Sequence, residues 1–97
     1  MINVADIDAT YTMEWVFENG QVTIFERSLE NTGVITEVDR GFYVMESTPV
    51  KSTLTLFSLS NELWNDNWNV NQLDESYLIL HLDFPQGVLF KEFIKIR

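Results

Sequence analysis

The chain has no cysteine among its 97 residues. That absence excludes a disulfide framework, thiolate zinc sites, thiol catalysis and acylation through cysteine, and it leaves the redox compartment unreadable. Proline and glycine are scarce, at two and four residues, so neither a collagen-like nor a low-complexity chain is present. Basic residues are few: six Lys and Arg against fifteen Asp and Glu give a formal charge of -9. A surface of that sign repels phosphate backbones and anionic headgroups, which disfavours nucleic acid and membrane surfaces as partners. No apolar run approaches the roughly eighteen residues that would read as a membrane-crossing helix. The opening Met1-Ile2-Asn3-Val4-Ala5-Asp6 lacks the positive and then apolar regions of a signal peptide. A cytoplasmic setting is therefore expected unless a targeting segment has been removed.

Catalytic patterns are equally sparse. The single histidine, His81, stands two residues from Asp83 on an alternating segment, so a carboxylate could orient its imidazole. General acid-base work also needs a reacting partner within hydrogen-bond reach, and no Gly-x-Ser-x-Gly or similar nucleophile motif accompanies the pair. The oxygen-rich stretch Asn61, Glu62, Asn65-Asp66-Asn67 and Asn69 lacks the alternate ligands, central glycine and fixed glutamate of a calcium loop. It reads as a polar turn. No metal site and no cofactor are expected, and the chain reads as non-enzymatic.

What is present is apolar material in alternation. Hydrophobic residues make up 45% and aromatics 13%, enough for one domain spanning 1–97 with one core. Tyr11, Met13, Trp15 and Phe17 share one face of a first clear strand, with Thr12, Glu14 and Glu18 on the other. Asn19-Gly20 follows directly, the pair best suited to the positive φ angles of a two-residue hairpin turn, and Gln21–Arg27 returns from it. Further strands are expected over 40–46, 52–60, 67–73, 76–84 and 87–96, with 34–38 either a short extra strand or loop. A single helical turn over 61–67 is expected, capped by Ser60 or Asn61. Leu78, Leu80 and Leu82 form one candidate packed face, and Phe90, Ile94 and Ile96 another.

The fold expected is all-β, an antiparallel meander of about seven or eight strands, because no stretch of helical period separates the strands. So dense a set of strands must close into a barrel or stack as two sheets. The run Trp15-Val16-Phe17-Glu18-Asn19-Gly20, then Gly41-Phe42-Tyr43, Trp68-Asn69-Val70, Leu78-Ile79-Leu80 and Phe90-Lys91-Glu92-Phe93 resembles the small lipocalin-like domains of Bacteroidetes-type bacteria. The likeness spans about residues 11 to 96. It implies a small β-barrel that holds a small hydrophobic ligand, in a family often secreted or anchored at the cell envelope. Such domains open with a Gly-x-Trp strand that Met1–Thr10 lacks. An irregular start, and a barrel that is incomplete or completed by a second copy of the chain, are therefore expected.

On this reading Trp15, Phe17, Tyr43, Leu56, Trp68, Leu80 and Phe90 line the interior, and Trp68→Ala lowers ligand affinity more than stability. The alternative is a structural or interaction module, self-associating as a homodimer or pairing with an envelope protein through a strand edge or aromatic face.

Overall fold

A computed structural model describes residues 2–6, 13–27 and 35–95. Eight strands run in chain order: β1 Ile2–Asp6, β2 Met13–Glu18, β3 Gln21–Arg27, β4 Ile35–Ser47, β5 Ser52–Phe57, β6 Asn67–Leu73, β7 Tyr77–Phe84 and β8 Gly87–Lys95. Each pairs antiparallel with the next, and β1 pairs with β8, so the meander closes into a barrel. Closure leaves each strand a neighbour on both sides, which removes the free edges an open sheet would present.

The local reasons are those of the alternation. Asn19 and Gly20 adopt φ of 52° and 80°, as a two-residue turn matched to strand twist requires. Glu18 then faces Gln21 and the ladder runs back to Met13 opposite Glu26. The segment 35–38 is no separate element: it is the front of β4, which pairs with β3 through a bulge between Ile24 and Phe25 and continues to Ser47. The helical turn is a short 3-10 segment, Glu62–Trp64, whose start is capped by Asn61 accepting from the Leu63 N–H.

Two expectations are corrected. The chain's first residues do not leave the barrel open. Ile2–Asp6 forms β1 without the Gly-x-Trp pattern, because β2 and β8 both offer it backbone partners, with Val4 opposite Trp15 on one side and Lys95 on the other. Nothing in the described ladder calls for a second copy to complete it. Residues 7–10 of the expected irregular start lie outside the described residues. The packed face of β8 is also the opposite one. Leu78 faces Phe93 and Leu80 faces Lys91, so the residues sharing the leucine side are Phe93 and Lys91, while Phe90 and Ile94 point outward with His81 and Tyr77. Strand neighbours share a face, and a shift of one residue reverses every side chain.

The barrel interior is solid through most of its length. Trp15, Trp68, Phe93, Ile24, Leu54, Leu56, Leu80, Val4 and Val22 are fully buried, joined by Phe17, Leu59, Leu78 and Leu82. Rings pack at angles rather than face to face: Trp15 lies 5.0 Å from Phe93 and 5.7 Å from Trp64, both edge-on.

The polar segment after β5 works as a clamp that seats Trp64. Asn65 accepts from the Leu59 N–H and donates to the Leu59 carbonyl, both at 2.9 Å. Asn67 accepts from the Thr55 hydroxyl at 2.8 Å. Asp39, on β4, accepts from the backbone N–H of Arg40, Ser60 and Asn61 at 2.8, 2.9 and 3.1 Å. Slight burial pushes the Asp39 carboxyl up, but those three amides together outweigh it and hold its pKa below the ordinary 3.8. A depressed folded pKa means that this carboxylate stabilises the fold above the ordinary aspartate range, and that the contribution fades as pH falls through the folded value. Urea titrations between about pH 6 and pH 2 should therefore show part of the acid destabilisation disappear in Asp39→Asn, where no carboxylate titrates. An unchanged pH profile in that variant would remove Asp39 from the acid response.

Candidate functional site

In a meander, alternate connections lie at opposite ends of the barrel. One end carries the turns at 19–20, 48–51 and 74–76, and the other carries 58–66 and the Pro85-Gln86 turn.

At the 58–66 end the 3-10 turn folds Trp64 against the core. The Trp68 indole N–H donates to the Trp64 carbonyl at 2.9 Å, which fixes that turn to β6. Beneath it Lys91 is turned inward and only 7% exposed, with its ammonium 4.1 Å from the centre of the Trp64 ring and 5.7 Å from that of Phe93. The negative faces of the rings attract the charge and replace part of its lost hydration. The Trp15 indole N–H is buried nearby without a hydrogen-bond partner among the described residues. Tryptophan, lysine and phenylalanine thus pack together at this end.

The opposite end carries the tight turns. A cleft there is lined by Phe17, Tyr43, Met45, Leu54, Leu73 and Leu78, with no polar surface in its wall. Phe17, Leu54 and Leu78 are buried and make its floor, while Met45 and Leu73 stand at 37% and 42% exposure on its rim. The free space is about 20 Å³, room for about one water. Tyr43 is half-buried, with its ring edge-on to Phe17 at 5.2 Å and its N–H donating to the Gly20 carbonyl at 2.9 Å. The Asn19-Gly20 turn thereby positions one wall of the cleft.

The seven residues expected to line a cavity separate into three groups. Phe17 and Tyr43 border the cleft. Trp15, Leu56, Trp68 and Leu80 point inward but lie in solid core, between 1% and 2% exposed. Phe90 is outside the barrel, nearly half exposed, with its ring 5.9 Å from His81. The reason is register: β8 is apolar on both faces, and Phe90 pairs with outward-facing His81. Met45, Leu54, Leu73 and Leu78 were not singled out for the cleft. Leu54 and Leu78 carry the inward signal in their alternation, whereas Met45 and Leu73 sit at strand ends where period alone does not distinguish rim from solvent.

His81 is half-buried on the outer face, its Nε2 3.8 Å from the Asp83 carboxylate and its Nδ1 enclosed without a hydrogen-bond partner among the described residues. The pair therefore sits beside Phe90, away from the cleft. The oxygen-rich stretch is used by the clamp and the helical cap described above. Apolar side chains also face solvent, notably the stacked Phe42 and Phe57 rings at 5.7 Å. Phe84, Gln86, Gly87, Val88 and Leu89 surround a shallow depression at the β7–β8 turn, wide open to water.

A closed eight-stranded antiparallel meander is compatible with lipocalin-like architecture. Compared with protein-family models, curated proteins and solved structures, the chain matches none of them.

Proposed function

We propose that this barrel is a non-catalytic binding domain that takes an apolar group at the end carrying the tight turns, rather than enclosing a molecule in its middle. The observation that carries this reading is the all-apolar cleft between Phe17, Leu54 and Leu78 below and Met45, Tyr43 and Leu73 above. Trp15, Trp68 and Phe93 occupy the space where a lipocalin-like container would hold its ligand. Burying alkyl carbons against the cleft floor would contribute about 0.8 kcal/mol per methylene. Rim side chains with freedom to move, Met45 above all, would let the small void widen around a slender chain. Of the alternative, pairing through a strand edge or an aromatic face, the edge route is disfavoured because β1 joins β2 to β8 and closes the ladder, which leaves the exposed Phe42–Phe57 pair as its aromatic face.

The test uses N-phenyl-1-naphthylamine, a neutral apolar fluorophore, titrated into the folded protein. Leu73→Asp places a charge at the mouth of the cleft, on a residue already 42% exposed. It should weaken binding about tenfold or more while shifting the thermal midpoint by only a few degrees, as expected of an exposed substitution. Unchanged dye affinity in Leu73→Asp, or no dye binding to the parent protein, would sink the assignment.

A further inference from the structure

The rim of the cleft has a charge pattern that the apolar floor does not explain. Three of its lining residues are each followed in the chain by an acid: Phe17 by Glu18, Met45 by Glu46, and Leu73 by Asp74 and then Glu75. All four acids are exposed. Among the described residues the same end carries two lysines, Lys51 in the 48–51 turn and Lys95 at the close of β8, whose N–H donates to the Ser76 carbonyl. Among the described residues, four acids against two lysines leave this mouth negative.

The geometry also keeps one acid anionic and fixed in place. Asp74 accepts from the Ser76 and Tyr77 amides at 2.8 and 2.9 Å and from the Gln72 side chain at 2.6 Å. Those contacts, the Ser76 amide first, hold its carboxyl below the usual range.

We infer that the cleft selects its ligand by head-group charge: one unbranched alkyl chain bearing a cationic head, an alkylammonium amphiphile, in preference to a fatty acid. This rests on the reading of the cleft as a ligand site. The apolar floor admits the chain end and offers no hydrogen bond to a carboxylate. A head group left at the mouth sits beside the residues that directly follow Phe17, Met45 and Leu73, and attraction between charges in water reaches about a Debye length, roughly 8–10 Å. A carboxylate there meets like charge, whereas an ammonium meets its complement.

Decyltrimethylammonium, decanol and decanoate share one chain length and differ in head charge. Each is titrated below its micelle-forming concentration into isotope-labelled protein, with the amide signals of Phe17, Met45, Leu73 and Leu78 followed by NMR. Tetramethylammonium serves as the head without the chain. The expected order is ammonium, then alcohol, then carboxylate, with about tenfold between the extremes at low salt and a narrowing gap as salt rises. The triple variant Glu18→Gln, Glu46→Gln, Glu75→Gln should narrow the gap in the same way and leave decanol affinity unchanged. Equal affinities, or decanoate binding best, would overturn the charge inference while leaving the cleft as a binding site. Should none of the three move the cleft signals, the cleft reading itself fails and the inference with it. Equal perturbation by tetramethylammonium would also overturn it, since surface charge alone would then account for the response.

Discussion

Trp68→Ala is expected to lower the unfolding free energy by about 3–5 kcal/mol, the range for deleting a large buried aromatic. Trp68 is 1% exposed at the centre of the core, and its indole N–H holds the carbonyl of Trp64. Alanine would leave a cavity between β5 and β7 and release the 3-10 turn that covers the barrel end. Both losses act on the same side of the molecule, so they add to one local failure. Small domains have about 5–15 kcal/mol in total, so this single change removes a large fraction of stability. For a chain of this size it corresponds to a drop in thermal midpoint of roughly 20 °C, at about 4–8 °C per kcal/mol. Chemical denaturation followed by far-ultraviolet circular dichroism measures it directly. Trp68→Phe, which keeps most of the volume but loses the N–H donor and part of the indole ring, should cost roughly 1–2 kcal/mol. A loss below about 1 kcal/mol for the alanine variant would contradict the packing described here. The expectation from sequence, that this substitution affects affinity more than stability, is thereby reversed: Trp68 does not border the cleft.

Gly41→Ala should destabilise by about 2 kcal/mol, within the range for overpacking a filled core. Glycine inside a strand is ordinarily a weakness, and alanine in its place would be expected to gain about 0.5–1 kcal/mol. Here the sign is set by space. A Cβ on Gly41 would lie 2.8 Å from the Phe57 carbonyl oxygen and 2.8 Å from Leu59 Cγ, closer than carbon atoms approach their neighbours in folded proteins. Leu59 could turn aside, but the Phe57 carbonyl belongs to the chain leaving β5 and cannot move without disturbing the clamp through Asn65 and Asp39. The double variant Gly41→Ala, Leu59→Ala separates the two contacts. If the backbone contact dominates, the double variant remains less stable than Leu59→Ala alone by most of the single-variant loss. If Leu59 dominates, the loss vanishes in the double variant, and the backbone argument fails.

The cleft assignment and its charge preference are less exposed to stability effects, because their variants sit on half-exposed or exposed residues. Leu73→Asp and the glutamate-to-glutamine set can therefore be read as binding experiments. The core variants cannot, which is why Trp68 and Leu56 make poor probes of ligand contact despite being inward-facing.

How legible all this was in the chain differs from element to element. The strand at 13–18, the Asn19-Gly20 turn and the return strand at 21–27 were readable because apolar and polar residues alternate cleanly there and the turn pair has specific backbone preferences. The same holds for β6 and β7, and for the short turn capped by Asn61. β1 was not readable. Ile2-Asn3-Val4-Ala5-Asp6 carries little alternation, and its order comes from two neighbours contributed by distant parts of the chain.

The sequence by itself determined an acidic, cysteine-free, all-β meander and the positions of most strands, because side-chain period and turn chemistry are local properties. Only the tertiary structure decided that the ladder closes, that Phe90 faces out while Lys91 lies inside against Trp64, and that an apolar cleft opens at the end with the tight turns. Those outcomes depend on register. Where both faces of a strand are apolar, as in β8, period two defines two faces without choosing between them, and cross-strand pairing with the leucine side of β7 makes the choice.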